Sequence, residues 1–159
     1  MIRVPSLRRQ RGIGMIEVLI AVLVVSIGFL GMAALQARAL STNNSAMARS
    51  MATVASYSIL DAMRADVVNA KLGSYNGTVT ANACANVSAA TALATSQLQQ
   101  WCSELGNTLG AGAGSTASTT TGTINCSVVG DCTITIQFDD SRAGVGGSST
   151  QKVVTETGL

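Results

Sequence analysis

An uncharged apolar segment constrains this chain of 159 residues more than any other feature. Residues 18–35 contain no Asp, Glu, Lys or Arg, and a single carboxylate, Glu17, directly precedes them. As an α-helix these residues extend over about 27 Å, close to the hydrocarbon core of a bilayer, which is about 30 Å thick. We therefore predict a transmembrane helix over residues 13–36.

The charges that flank this segment predict its orientation. Before it lie four basic residues, Arg3, Arg8, Arg9 and Arg11. The first charges after it are Arg38 and Arg49. Because basic flanks stay in the cytoplasm, we expect the N-terminus inside the cell and everything after about Gln36 outside the cytoplasm.

A cleaved secretory signal is the competing interpretation of the same segment. Residues 37–39 read Ala-Arg-Ala, the small-x-small form of a signal peptidase site. Ordinary signals have an apolar region of about 7 to 15 residues and no acid at its start. We therefore favour a retained helix.

The start of the helix carries a family pattern. A basic leader ends in Gly12, Ile13 follows, and Glu17 is the fifth residue of the hydrophobic helix. This arrangement resembles the type IV pilin family, specifically over about residues 8–40 and more loosely over the C-terminal half. Residues 14–21 and 26–31 are similar to minor pilins of the PilV kind.

The resemblance implies chemistry at three of these residues. A prepilin peptidase would cleave after Gly12 and methylate the new amino terminus of Ile13. Glu17 would act in subunit assembly, its carboxylate pairing with an amino terminus. An acid at a helix start could instead only stabilise the helix dipole, by about 0.3 to 1 kcal/mol. A carboxylate near the bilayer centre costs about 2.5 to 3.5 kcal/mol, and less toward the interface, which favours the functional interpretation.

The resemblance also implies a role for the whole chain: a structural subunit, a minor type IV pilin that helps initiate or tip a pilus used in adhesion and twitching motility. The implied partners are other minor pilins, the major pilin, the prepilin peptidase and the inner membrane before assembly. The implied location is the inner membrane, with a single pass and a periplasmic C-terminal domain, and then the pilus. The alternatives are a type II secretion pseudopilin and a membrane-anchored periplasmic binding domain.

The expected fold class is α+β, with a long N-terminal helix packed on a small antiparallel sheet, as in pilins. The expected segments are a leader over residues 1–12, the membrane helix over 13–36, its amphipathic continuation over 37–72 and a globular domain over 73–159. Helical spacing places eight residues on the core face of the continuation: Leu40, Met47, Met51, Val54, Ala55, Ile59, Met63 and Val67. Polar residues fall between them: Ser45, Arg49, Ser56 and Asp66.

The continuation has one predicted stop and one predicted weak point. No Pro or Gly interrupts residues 32–70, so we expect one helix of more than fifty residues that ends before Gly73. Residues 41–45 are a possible weak point of this helix. We predict that its methionines fill space in the hydrophobic core; these are Met47, Met51 and Met63.

A second helix is predicted over residues 91–105. Leu98, Trp101 and Leu105 lie on one face of it, with Trp101 as a core anchor and Gly106 as the C-terminal stop. Residues 106–122 are rich in Gly, Thr, Ala and Ser, and we expect them to form an exposed, mobile loop.

A β-hairpin is predicted after this loop, because the pattern changes to period two. The alternating apolar positions are Ile124, Cys126 and Val128 in one strand and Cys132, Ile134, Ile136 and Phe138 in the next. The turn falls at Gly130 and Asp131, and Asp139 and Asp140 follow as a solvated strand end.

The hairpin places Cys126 and Cys132 on one buried face, which favours the disulfide Cys126–Cys132 and leaves Cys84–Cys102 as the second pair. Four cysteines allow three connectivities, and the sequence does not decide among them. All four follow residue 80, on the side predicted to be translocated, where thiols oxidise. Their spacing, without any histidine in the chain, argues against a zinc site.

Composition argues against two function classes. The chain has no histidine and no familiar hydrolase motif, so we expect no catalytic residue, no metal and no cofactor. Removing the four leader arginines from ten basic residues leaves six against eight acidic ones. With so few basic and aromatic residues, direct nucleic-acid binding is not expected.

Overall fold

The computed structural model describes residues 14–111, 120–141 and 147–159. The helices are α1 (Met15–Ala65), α2 (Val67–Lys71) and α3 (Ala92–Leu109), with a short 3-10 helix at Cys84–Asn86. The strands are β1 (Gly77–Thr80), β2 (Thr121–Cys126), β3 (Asp131–Phe138) and β4 (Gln151–Gly158). The predicted α+β class is confirmed, because a long N-terminal helix packs on a small antiparallel sheet.

The chain divides into two compact units, Met1–Ala39 and Leu40–Leu159. In the first unit the described residues form the beginning of α1, and all of them are exposed. The second unit contains the end of α1 and every other element. It has its own core, to which α1, α3 and the sheet all contribute.

Helix α1 is 51 residues long, as the uninterrupted sequence predicts, but it ends at Ala65 and not near Gly73. Asp66 leaves the helical conformation, and the short helix α2 follows it. The side chain of Asp66 accepts hydrogen bonds from the Asn69 amide (2.7 Å) and the Tyr75 hydroxyl (3.1 Å). These contacts stabilise the interruption between α1 and α2. Gly73, at φ +80°, ends the helical region after α2.

Residues 41–45, where the sequence predicts a possible weak point, are helical, and α1 continues through them without a break. Ser45 is buried there, and its hydroxyl donates a hydrogen bond to the Asp140 carboxylate, 95 residues away in sequence. A side chain with a distant partner does not compete for the backbone groups of its own helix.

The buried face of α1 differs from the predicted one. Small residues dominate it, and its buried positions are Ser45, Ala52, Ala55, Ser56, Ile59, Leu60 and Met63. Of the residues predicted to be buried, Leu40, Met47 and Val54 are exposed. Small side chains let the helix approach its neighbours closely. The apolar pattern of the sequence, in contrast, selects long side chains as the buried ones. Met63 therefore fills space in the core, as predicted, whereas the exposed Met47 does not.

The sheet is antiparallel throughout, in the order β1-β2-β3-β4. The predicted hairpin is β2–β3, with Ile124 opposite Ile134 and Cys126 opposite Cys132. Val128, predicted in a strand, lies in the turn and is 81% exposed. The turn starts earlier because the Ser127 hydroxyl accepts hydrogen bonds from the backbone N–H groups of Gly130 and Asp131.

Helix α3 begins where predicted and ends later. Thr91 caps it by accepting a hydrogen bond from the Ala94 N–H (3.2 Å). Gly106, predicted as its stop, lies inside the helix, where a Cβ would be 3.3 Å from the Ala81 carbonyl oxygen. A side chain at this position would crowd the Ala81 carbonyl group, and Gly110, at φ +89°, follows the end of the helix.

The loop predicted over residues 106–122 is consequently shorter, because α3 extends into it and β2 begins at Thr121. Gly122 is a buried strand residue. Residues 112–119, the middle of that predicted loop, lie outside the described residues.

Trp101 anchors the core of the second unit, as predicted. It is 2% exposed, and its indole N–H donates a hydrogen bond to the Ala55 carbonyl oxygen (2.9 Å). Gly122 lies directly under the indole ring, since a Cβ at that position would be 2.3 Å from a ring carbon of Trp101. The indole therefore joins α1, α3 and β2.

Candidate functional site

The N-terminal end of α1 carries the predicted assembly residue. Glu17 lies in the first helical turn, and its backbone N–H donates a hydrogen bond to the Gly14 carbonyl oxygen (2.9 Å). The carboxylate is exposed, and none of the described residues bonds to it. At this end of the helix a negative charge is stabilised by the helix dipole. Gly12 and Ile13 lie outside the described residues, so cleavage and methylation there remain predictions.

The helix that follows Glu17 presents apolar side chains in every direction. None of the residues in its most apolar 18-residue window is buried, so this is not the core helix of a folded domain. Among the described residues, α1 is the one helix long and apolar enough to cross a membrane, by length and composition. A surface of this kind needs lipid or other apolar helices around it.

Polar groups inside this apolar segment are satisfied locally. The Ser26 hydroxyl donates a hydrogen bond to the Val22 carbonyl oxygen (2.7 Å), one helical turn earlier. In lipid an unpaired hydroxyl would be costly, and this contact removes that cost. Glu17 is thus the single acidic group at the start of a segment that is otherwise compatible with a bilayer.

The same stretch of the chain has a counterpart among protein families. Residues 7–33 match the prokaryotic N-terminal methylation motif. The match includes Gly12, Ile13 and Glu17 and extends through most of the apolar segment. No curated protein and no solved structure matches this chain.

The methylation motif supports the type IV pilin family, and with it a type IV pilin-like or pseudopilin protein. It points to a structural subunit and not to an enzyme. It implies processing by a prepilin peptidase and assembly with other pilins. Together with the single apolar helix at the N-terminus, it fits a pilin that is anchored in the inner membrane and then assembled into a pilus.

Two disulfides lie in the second unit, and they join the pairs that the sequence favours. Cys84, at the start of the 3-10 helix, is bonded to Cys102 of α3. Cys126 is bonded to Cys132 across the β2–β3 hairpin. The first closes a longer loop than the second, with sequence separations of 18 and 6. No group of three His, Cys, Asp or Glu side chains among the described residues could hold a metal ion.

The predicted solvation of Asp140 is wrong, because this residue is buried. It is only 7% exposed, and its carboxylate accepts a hydrogen bond from the Ser45 hydroxyl at 2.5 Å. An Arg49 guanidinium nitrogen lies 3.9 Å from the same carboxylate oxygen and also donates to the Gln151 side chain (3.3 Å). The sequence offers no local signal for this cluster, because its partners come from α1 and from the sheet.

A second polar cluster surrounds the buried Tyr75. Its hydroxyl donates to the Asp66 carboxylate (3.1 Å) and lies against the side-chain amide of Gln97. Burial and the neighbouring carboxylate raise the pKa of Tyr75 to about 12. The cluster holds the end of α1, the segment after α2 and helix α3 together, which identifies it as structural.

Proposed function

We propose that this chain is a minor type IV pilin of the PilV kind, cleaved after Gly12 by a prepilin peptidase that also methylates Ile13. One observation carries the proposal: a single carboxylate, Glu17, stands in the first turn of an exposed, membrane-length apolar helix, inside the methylation motif of residues 7–33. Neither an ordinary secretory signal nor a soluble core helix combines these features.

Glu17 gives the proposal its mechanism. In the bilayer its carboxylate is unfavourable by up to about 2.5 to 3.5 kcal/mol, so an ionic partner is strongly favoured. The amino terminus of Ile13, in the same chain or in a neighbouring subunit, supplies the opposite charge. Pairing with a neighbour would guide the subunit into register as its apolar helix exchanges lipid contacts for contacts with other helices.

The second unit would meet the other subunits. It is a folded domain with its own core and two disulfides, a construction suited to the oxidising periplasm. In this proposal it binds other minor pilins and the major pilin, and helps initiate or tip the pilus that serves adhesion and twitching motility. No catalytic residue and no nucleic-acid contact is part of this role.

Processing is tested by the intact mass of the purified full chain, expressed with and without a prepilin peptidase, followed by sequencing of the N-terminal fragment. We expect loss of residues 1–12 and a methylated Ile13 only with the peptidase. A chain that begins near Leu40 would mean cleavage by signal peptidase, and the filament proposal would then fail.

Assembly is tested by Glu17→Ala, with Asp61→Ala as the matched control. Asp61 is an exposed acid on the same helix, outside the apolar segment, and among the described residues it forms an ion pair only with the nearby Arg64 (3.2 Å). We expect both variants to be processed and to reach the membrane. Only Glu17→Ala should be lost from sheared pili, as measured by immunoblotting; its incorporation at the normal level would refute the pairing.

A pseudopilin of the type II secretion system would show the same processing and the same dependence on Glu17. Crosslinking in the periplasm, followed by identification of the captured chains, separates the two roles. Capture of pilus subunits supports the proposal, whereas capture of secretion-system subunits alone assigns the chain to secretion. A membrane-anchored binding domain would function normally with Glu17→Ala.

A further inference from the structure

The two edges of the sheet in the second unit differ in charge. Among the described strands, β4 pairs with β3 alone and β1 pairs with β2 alone, so both present an edge. The exposed Lys152 and Glu156 lie on β4, and charged residues on an edge strand hinder the addition of a foreign strand. Strand β1 reads Gly-Thr-Val-Thr and has neither a charge nor a proline. Its edge is therefore the more accessible one for another strand.

The backbone groups of Thr78 on β1 point away from β2. In an antiparallel pair, residues that exchange hydrogen bonds with the neighbouring strand alternate with residues whose N–H and C=O point outward. Ala81 continues the β1–β2 register opposite Thr120, and its N–H donates to the Thr120 carbonyl oxygen (2.9 Å). Val79 and Gly77 therefore bond to β2, whereas the exposed Thr78 presents its N–H and C=O to solvent.

A groove runs beside this edge. One of its walls is β1 with the two residues before it, and the other wall comes from residues 83–88, which follow β1 in the chain. The buried side chains of Tyr75, Val79 and Leu98 also line it. It encloses about 280 Å³, slightly less than the range of about 300 to 1,000 Å³ that is typical of small-molecule sites. None of the described residues that line the groove carries a charge, which favours an uncharged occupant.

The second wall of the groove is fixed by its own contacts. Cys84 in this wall is disulfide-bonded to α3, and the Gln99 side-chain amide donates to the Val87 carbonyl oxygen (3.0 Å). Where the wall leaves β1, the Ala83 N–H donates to the Thr80 carbonyl oxygen (2.8 Å). The groove is thus formed before anything binds, which reduces the entropic cost of binding.

We propose that this groove binds an extended peptide segment of a partner protein, which adds to the sheet as a strand antiparallel to β1. The N–H and C=O of Thr78 bond to one residue of the segment, here called its central residue. Main-chain bonds of this kind supply affinity, and pockets for alternate side chains supply specificity. This inference does not depend on the role of the chain as a pilin.

The pleat of the added strand determines which of its side chains enter the groove. The central residue shares the open face of the sheet with Thr78, so its side chain lies in solvent. The two residues that flank it point to the other face, one opposite Val79 and one opposite Gly77. A Cβ on Gly77 would meet no atom within 4 Å, so a side chain opposite it has room. The segment is therefore recognised by uncharged, apolar residues on both sides of a central residue of any kind.

Protection of the edge by its shortness is the simpler explanation for β1, because very short edge strands resist unwanted pairing. It accounts for the four residues of the strand. It does not require a preformed groove with an uncharged lining beside them. The two explanations differ in one measurable result, the binding of a short peptide whose alternate residues are apolar.

Specificity is tested with the full chain in detergent micelles and fluorescent, end-blocked peptides, with empty micelles as the blank. Fluorescence anisotropy should show binding of the peptide Thr-Val-Thr-Val-Thr. Thr-Val-Lys-Val-Thr should bind equally well, because its lysine lies in solvent. Thr-Asp-Thr-Asp-Thr should bind at least about tenfold more weakly, since its carboxylates would enter an uncharged groove. Absence of binding by the first peptide, or equal binding by all three, would overturn the proposal.

The backbone bonds are tested from both partners. N-methylation of the central residue of Thr-Val-Thr-Val-Thr removes the N–H that donates to the Thr78 carbonyl oxygen, and should weaken binding by about tenfold. Thr78→Pro removes the outward N–H of β1 and should have a similar effect. Proline is tolerated in an edge strand where the N–H faces solvent, so we expect this variant to fold, with circular dichroism as the check.

Val154→Pro is the matched control on the other edge. The Leu159 N–H donates to the Gly130 carbonyl oxygen, and in that register the N–H of Val154 also points outward. This variant should bind Thr-Val-Thr-Val-Thr as the wild type does. Equal loss of binding in both proline variants would contradict a site at β1. Unchanged binding of the N-methylated peptide would refute strand addition, and this result needs no variant of the protein.

Discussion

At the scale of single residues, the fold depends on a few buried polar contacts between distant parts of the chain. One of them is the bond from the Ser45 hydroxyl to the Asp140 carboxylate, which ties α1 to the segment after β3. A buried polar group that loses its partner costs about 1 to 3 kcal/mol. Such contacts add little net stability when intact, but they fix which face of α1 is buried.

We therefore expect Asp140→Ala to lower the free energy of unfolding by about 1 to 3 kcal/mol, because the buried Ser45 hydroxyl is left unpaired. The measurement is urea unfolding of the full chain in detergent, followed by the fluorescence of Trp101, the single tryptophan. Ser50→Ala, an exposed serine of the same helix, is the control and should change stability by less than about 0.5 kcal/mol.

A double-mutant cycle sharpens this test. Ser45→Ala with Asp140→Ala should cost less than the sum of the single changes, because the second substitution removes a group that the first has left unpaired. Strictly additive costs would show that the contact carries no coupling.

The buried Tyr75 predicts a loss of stability at high pH. Its pKa is raised from 10.0 to about 12 in the folded protein, mainly by burial and then by Asp66. Between these values the unfolded chain releases the phenol proton and the folded chain keeps it, so the free energy of unfolding falls as pH rises from about 10 to 12. Below about pH 9 this group contributes no pH dependence.

The comparison of wild type with Tyr75→Phe isolates this effect, since other groups titrate in both proteins. Unfolding at pH 9 and at pH 11 should show a larger drop for wild type than for the variant. Equal drops would mean that Tyr75 titrates alike in the folded and unfolded chains.

At the scale of elements, the contact between α3 and the sheet depends on a missing side chain. A Cβ on Gly122 would lie 2.3 Å and 2.7 Å from two ring carbons of Trp101 and 2.8 Å from a methyl carbon of Leu105. These three carbons belong to the buried side chains of Trp101 and Leu105, which are tightly packed and have little room to move.

Gly122→Ala should therefore destabilise the second unit by about 1 to 3 kcal/mol through overpacking. Gly158→Ala is the matched control, because it also lies in a strand and a Cβ there meets no atom within 4 Å. Thermal unfolding followed by circular dichroism measures both variants. Equal melting temperatures for Gly122→Ala and wild type would show that α3 can shift away from β2 without cost.

At the scale of the whole molecule, the chain combines two units with opposite surface chemistry. The described part of Met1–Ala39 exposes apolar side chains, whereas Leu40–Leu159 buries a core of its own. The apolar side chains of the first unit need lipid or other apolar helices around them, which fits a chain that residues 18–35 anchor in the inner membrane.

We expect Val24→Arg, a charge near the middle of this segment, to disfavour insertion by about 2.5 to 3.5 kcal/mol. The measurement is the fraction of the chain that resists extraction from membranes by alkaline carbonate. Asn43→Arg adds the same charge at an exposed position of α1 outside the segment and should leave that fraction unchanged. A normal membrane fraction for Val24→Arg would show that residues 18–35 do not anchor the chain.

The sequence by itself determined the features that arise from local patterns. Length and lack of charge over residues 18–35 indicate a membrane helix, and the motif around Gly12 and Glu17 indicates pilin-like processing. Period-two alternation placed the hairpin and put Cys126 opposite Cys132. These features are readable because one element decides each of them.

Only the tertiary structure decided the features that need two or more distant segments. It buried Ser45 and Ser56 and exposed Met47 and Val54, because close packing of α1 favours small side chains over long ones. It buried Asp140 against Ser45, and it kept Gly106 inside α3, where the helix lies close to Ala81. It also added β1 and β4, whose strands are defined by pairing with β2 and β3 and not by a strong apolar alternation of their own. In each case the deciding contact joins residues far apart in sequence, and local periodicity does not encode it.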